Sequence, residues 1–93
     1  MIQSWKGKHA EAVFSGKSPK GFPGDLIKAA RRRLQAIDAA TTVEDLRTPP
    51  GNRLHQLTAD RDSQWSISIN YQFRVCFVWG PNGPENVEII DYH

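Results

Sequence analysis

Between Asp25 and Ala39 the apolar residues Leu26, Ile27, Ala30, Leu34 and Ile37 fall, at helical spacing, within one stripe about 100° wide. Lys28, Arg32 and Gln35 fall opposite, Arg31 and Arg33 flank the stripe, and Ala29, Ala30 and Ala36 add helix propensity. The pattern predicts a helix laid on a core, with a basic outer face. A shorter helix is predicted over Lys8–Phe14, where His9, Ala12 and Val13 share a helical spacing and Gly16 is placed to stop it. Ser18–Gly24, with two prolines and two glycines, reads as a loop. Ile2–Trp5 is a brief alternation that fits an edge strand.

The second half changes period. Val43–Leu46 has room for a single turn, and Thr48-Pro49-Pro50-Gly51-Asn52 breaks regular structure. Arg53–Leu57 reads as a lead-in strand. Trp65, Ile67 and Ile69 then share one face, and Ser66, Ser68 and Asn70 the other. After a tight connection at Asn70–Gln72, Phe73, Val75, Phe77 and Trp79 alternate with Arg74, Cys76 and Val78. Pro81-Asn82-Gly83-Pro84 is a turn, and Asn86–Ile90 a last strand. The class predicted is α+β, two N-terminal helices packed on an antiparallel β-sheet of three to five strands.

With 93 residues the chain suits a single domain spanning 1–93, and 39% apolar with 24% charged residues suits a globular one. The lone Cys76 cannot form an internal disulfide, which excludes the disulfide-stapled secreted class. No apolar run reaches the roughly 18 residues of a membrane span, and Met1–Ala10 does not read as a signal peptide. A reduced, cytoplasmic domain that does not engage a membrane is expected. The net charge of +2 conceals an asymmetry: residues 1–33 carry eight Lys/Arg against Glu11 and Asp25, and residues 34–93 carry four Arg against eight Asp/Glu. So basic a first part is consistent with a polyanionic partner. Composition alone favours a solvated helix face instead.

Strand parity points to chemistry. If the aromatic face of Phe73–Trp79 meets the helices, Arg74 lies on the other face beside Ser66 and Ser68. A guanidinium there offers a permanently charged, forked grip on a phosphate; an ordinary exposed ion pair with Asp60, Asp62 or a cross-strand acid is the competing reading. His55 follows the proline break, and Asp91-Tyr92-His93 sets a carboxylate, a phenol and an imidazole side by side. Imidazole exchanges protons near neutral pH and a phenol ring can stack on a base, although such a tail can also simply fray. His9 has no such company. No zinc-ligand spacing, Gly-rich phosphate loop or reactive-cysteine motif is present, and Asp60, Asp62 and Asp91 do not follow a Mg²⁺-loop pattern. An enzyme built from these residues is expected to need neither metal nor cofactor.

Taken in order, Arg53-Leu54-His55-Gln56-Leu57, Asp60-Arg61, Gln64-Trp65-Ser66-Ile67, Phe73-Arg74-Val75 and Asp91-Tyr92-His93 resemble the HigB-type toxins of the RelE superfamily. Met1–Lys6 and Leu34–Ala40 fit the same pattern, so the resemblance covers essentially the whole chain. It implies a compact RelE-like domain and an endoribonuclease that cuts translated mRNA in the ribosomal A site. It also implies silencing by a HigA-like helix-turn-helix antitoxin, through which alone operator DNA would be reached. The family's catalytic positions fall on His55, Arg74, Asp91, Tyr92 and His93. Where family members often carry a lysine three residues after the first histidine, this chain has Thr58; Arg53 or Arg61 could substitute. The resemblance would make Lys17, Lys20, Lys28, Arg31 and Arg32, with Arg53 and Arg61, contacts for RNA or the ribosome, or the basic helix face a dock for the antitoxin. The expected chemistry is attack of the RNA 2′-hydroxyl on its own 3′-phosphate, with the histidines moving protons and Asp91 orienting one or acting as base. Arg74 would stabilise phosphorane charge and Tyr92 would stack. The alternative is a non-catalytic RelE-like module that blocks the ribosome or only partners an antitoxin.

Overall fold

Four antiparallel strands in the order β1-β2-β3-β4 form one sheet: β1 (His55–Gln56), β2 (Gln64–Ser68), β3 (Phe73–Gly80) and β4 (Gly83–Asp91). The computed structural model describes residues 1–57 and 64–91. Register pairs Ile67 with Val75 and Val75 with Ile89, so these three share a face. That face meets α1 (His9–Phe14) and α2 (Ile27–Ala39) through a core of Ala10, Val13, Ala30, Leu34, Ile37, Ile67, Val75, Phe77 and Val87. Each large apolar side chain so buried contributes about 1.5–3 kcal/mol. The α+β class is as expected, with two helices on a four-stranded sheet.

The local devices follow from the sequence. Gly16, at φ 91°, ends α1: its N–H donates to Val13 O at 3.1 Å and Lys17 N–H to Ala12 O at 2.9 Å, the double bond of a Schellman stop. The stripe on α2 is buried at Ile27, Ala30, Leu34 and Ile37, while Leu26 lies in a preceding 3-10 turn, Gly24–Leu26. A second 3-10 turn, Val43–Arg47, opens with a capping box between Thr42 and Asp45. A third, Pro50–Asn52, follows the cis Thr48–Pro49 bond.

Three boundaries differ from expectation. Ile2–Trp5 forms no strand; it runs along the outer edge of β4 through one parallel bridge, Trp5 to Val87, and Lys6 N–H donates to Val87 O at 3.0 Å. The bulge at Asn86 breaks the regular spacing of the β4 edge, so the segment meets it at a single bridge. Within Arg53–Leu57 the strand starts only at His55, because the backbone leaves the 3-10 turn through a left-handed Arg53, and Leu57 N–H still donates to Gln64 O at 2.8 Å. β4 starts earlier than Asn86, since Gly80 pairs with Gly83 across the Pro81–Asn82 turn. Pro84 is tolerated there because β4 is an edge strand of the sheet. One extra residue in β4 opposite Phe77 makes a bulge, with Asn86 at φ 53°.

Candidate functional site

The face of the sheet away from the helices carries His55, Ser66, Ser68, Arg74 and Cys76. Register sets His55 across from Ser66, Ser66 from Cys76, and Ser68 from Arg74. Parity therefore placed Arg74 correctly beside the two serines. The surroundings are less open than the sequence implies: Ser66 is fully buried and Arg74 half-buried. Cys76 is buried too, on this face rather than in the helix-covered core.

Among the described residues, Arg74 is held by two directed side-chain bonds. Its Nε–H donates to Ser66 Oγ at 2.9 Å, and its Nη2 donates to the carbonyl oxygen of Arg53 at 3.1 Å. Arg53 presents that carbonyl from φ 49°, ψ 54°, a left-handed conformation uncommon for a side-chain-bearing residue. The preceding Asn52 anchors this corner: it is buried, and its Nδ2 donates to Leu46 O at 3.1 Å and Thr48 O at 3.3 Å. The carbonyl of Arg53 as a support for Arg74 has no sequence signature, because a left-handed arginine is not marked by residue type.

Two open depressions flank the pair of arginines. One, of about 380 Å³, is lined by Arg53, Leu54, His55 and Arg74. The other, of about 420 Å³, is lined by Gly51, Arg53, Ser68, Ile69, Asn70, Tyr71 and Arg74. Two guanidinium groups on the rim of a polar hollow favour an anion, with an exposed imidazole at hand on one side. Asp91 lines neither depression. It ends β4 opposite Phe73, one residue beyond the Arg74–Ile90 pair, where its Oδ2 accepts from Gln72 Nε2 at 3.1 Å.

Of the residues singled out from sequence, His55, Arg53 and Arg74 are thus brought together, with Asp91 at the end of the neighbouring strand. Tyr92, His93, Thr58 and Arg61 lie outside the described residues, as do Asp60 and Asp62. Lys17, Lys20, Lys28 and Arg32 are exposed, and none lines either depression. Arg31 is half-buried and donates from Nε to Val13 O at 2.9 Å, tying α2 to the end of α1. Arg33 does the same for the sheet, through Ser68 O at 2.9 Å. His9 packs edge-on against Phe22. Among the described residues no group of His, Cys, Asp and Glu is arranged to hold a metal, and no helix is long and apolar enough to cross a membrane.

Two carboxylates of the Val43–Arg47 turn have lowered ionisation. Asp45 is held below the usual carboxylate range by the backbone N–H groups of Thr41 and Thr42 and by the Thr41 hydroxyl. Glu44 is lowered by the hydrogen bond from Arg47.

Residues 3–93 match the family described as the RelE-like toxin of the type II toxin–antitoxin system HigB. A protein named Endoribonuclease HigB from Proteus vulgaris is 32% identical over 93 residues, the full length of both chains. Toxin HigB-1 of Vibrio cholerae serotype O1 is 35% identical over 80 residues, 85% of this chain and 84% of that one. An uncharacterized protein of Haemophilus influenzae is 32% identical over 72 residues, 77% of this chain and 71% of its own. A match of this extent, over a helix-covered antiparallel sheet with an arginine-lined face, establishes that the chain belongs to the HigB-like, RelE-related toxins of type II toxin–antitoxin systems.

Proposed function

We propose that this toxin is a ribosome-dependent endoribonuclease that cuts translated mRNA in the A site, restrained by a HigA-like helix-turn-helix antitoxin. The observation that carries the reading is the pinned Arg74 guanidinium, flanked by Arg53 and His55 on one depression. The name of the Proteus vulgaris relative, Endoribonuclease HigB, supports the same class of reaction.

The chemistry follows from the groups available. The RNA supplies its own nucleophile: the 2′-hydroxyl loses a proton, its oxygen bonds to the adjacent phosphorus, and the bond from phosphorus to the 5′-oxygen breaks as that oxygen gains a proton. A 2′,3′-cyclic phosphate and a 5′-hydroxyl result, without a metal. Negative charge gathers on the non-bridging phosphate oxygens, where a prealigned guanidinium is worth most, since it need not reorganise as the charge develops. His55 and His93 are the proton carriers, each such transfer being worth about 10²–10⁴-fold. Asp91 orients or assists them, and Tyr92 stacks on a base. Arg53, beside Arg74, provides the second cation that Thr58 does not. The exposed Lys17, Lys20, Lys28 and Arg32 provide a sequence-independent hold on ribosomal RNA that weakens as salt rises.

The test is primer extension on a reporter mRNA in a reconstituted translation reaction, with wild type, Arg74→Ala and His93→Ala. Cuts within A-site codons that need the ribosome, and that vanish in both variants, are expected. Inhibited translation without a cut would move the protein to the non-catalytic binding class. Cleavage of a 2′-O-methylated site would overturn the nucleophile, and loss of cleavage with EDTA under conditions that leave the ribosome intact would overturn its metal independence.

A further inference from the structure

Tyr71 stands at the tip of the β2–β3 connection with 92% of its surface exposed. The backbone beneath it is tightly fixed. Asn70 Oδ1 accepts from the N–H groups of Gln72 at 2.9 Å and Phe73 at 2.7 Å, and Ser68 Oγ donates to Asn70 O at 2.9 Å. Arg33 reaches from α2 to bind Ser68 O. A rigid tip that displays an aromatic ring spends no packing energy on that ring within the fold. Single exposed apolar side chains are ordinary; this one lines the same depression as Arg53 and Arg74.

Those two arginines belong to both depressions, so they form a cationic ridge with His55 on one side and Tyr71 on the other. A polynucleotide crossing such a ridge sets a phosphate on the arginines and a nucleoside in each hollow. Aromatic rings bind unstacked bases face to face, tolerating any base because every base has a π-face. We infer that Tyr71 is the stacking platform of a nucleobase subsite, holding the nucleotide on the far side of the arginine ridge from His55. Asn70 and Ser68 supply the polar floor of that subsite. The inference rests on the ribonuclease reading for its ligand class, and it adds a residue that the pattern of catalytic positions does not include.

The experiment separates the two. Full-length toxin is mixed, with and without programmed ribosomes, with short RNAs that are 2′-O-methylated throughout and carry 5-iodouracil at single positions. After irradiation the crosslinked residue is identified by mass spectrometry, and cleavage of unmodified mRNA is followed in parallel for wild type, Tyr71→Ala, Tyr71→Leu and Tyr71→Phe. A crosslink at Tyr71 is expected, with RNA affinity or cleavage at subsaturating substrate falling about 10-fold or more in the Ala and Leu variants and retained by Phe. Crosslinking at Tyr71 without cleavage of any RNA would keep the subsite and discard the nuclease. Cleavage that proceeds equally in all Tyr71 variants, with crosslinks only elsewhere, would keep the nuclease and overturn the subsite. Loss confined to antitoxin binding in Tyr71→Ala would assign the residue to a protein interface and overturn it as well.

Discussion

The Nε of Arg74 donates to the buried hydroxyl of Ser66 at 2.9 Å, across the β2–β3 pair. The bond fixes the plane of the guanidinium, and a second, from Nη2 to Arg53 O, fixes its rotation. An arginine so constrained keeps its guanidinium in one orientation.

Arg74→Lys keeps the charge and loses the fork, since an ammonium cannot span Ser66 and the Arg53 carbonyl together. Cleavage in a translation reaction is expected to fall by about 100-fold or more, on the scale of losing one prealigned charge-stabilising donor. The melting temperature should move little, because Arg74 is only half-buried. Retained activity in the lysine variant would show that charge alone suffices.

Ser66→Ala removes the acceptor without touching charge. A loss of about 10-fold in cleavage, equivalent to about 1.4 kcal/mol at the transition state, is expected from the freed guanidinium. Substrate affinity should change less than turnover, and Ser66→Thr should recover part of the loss where its methyl group fits. Saturation kinetics on programmed ribosomes make the distinction.

Asn52→Ala leaves the carbonyls of Leu46 and Thr48 without the amide that joins them. Loss of these buried bonds is expected to cost about 2 kcal/mol, lowering the melting temperature by roughly 8–16 °C in a domain of this size. Because Asn52 precedes the left-handed Arg53, activity should decline even at temperatures where the variant is folded. Thermal melts followed by circular dichroism, together with cleavage at 25 °C, check both parts.

Asp45 carries a pH signature. Its Oδ2 accepts from Thr41 N at 2.9 Å, Thr41 Oγ1 at 3.0 Å and Thr42 N at 3.2 Å, all of which favour the charged carboxylate. The folded chain therefore binds the proton less readily than the unfolded one. The stabilisation is complete above the ordinary carboxylate value of 3.8 and disappears as pH falls through the lowered native value. Asp45→Asn should be less stable than wild type at pH 7, with the gap narrowing steadily below about pH 4. Parallel melts across that range measure it; a constant gap would mean that the carboxylate charge contributes nothing.

How much of this was legible beforehand depends on the range of the interaction. The stripe on α2, the Gly16 stop and the alternation of β2 and β3 are local patterns, and they placed the core and set Arg74 beside Ser66. The Arg53 carbonyl under Arg74 joins residues 21 apart, and the buried Asn52 depends on the irregular path of the chain from Leu46, neither of which a period or composition encodes. Arg31 has a structural tie that its place on the flank of the helix did not announce, the bond from its Nε to the end of α1. The resemblance, and not the spacing, linked His55, Arg74 and Asp91; of these, His55 and Arg74 line one depression and Asp91 ends the neighbouring strand.

The segment from Gln3 to Lys6 is laid against β4, with Val87 N–H donating to Ser4 O at 3.1 Å and Gln3 N–H to Pro84 O at 2.8 Å. Asn86 N–H also binds Ser4 Oγ, 82 positions away. During synthesis this segment leaves the ribosome long before its partner strand exists. β3, which bears Arg74, is flanked on one side by β4, so a nascent chain that has not yet exposed Val87 lacks both the shield of its sheet edge and a neighbour for the arginine strand. The edge that Gln3–Lys6 covers therefore closes only after Val87 has been made.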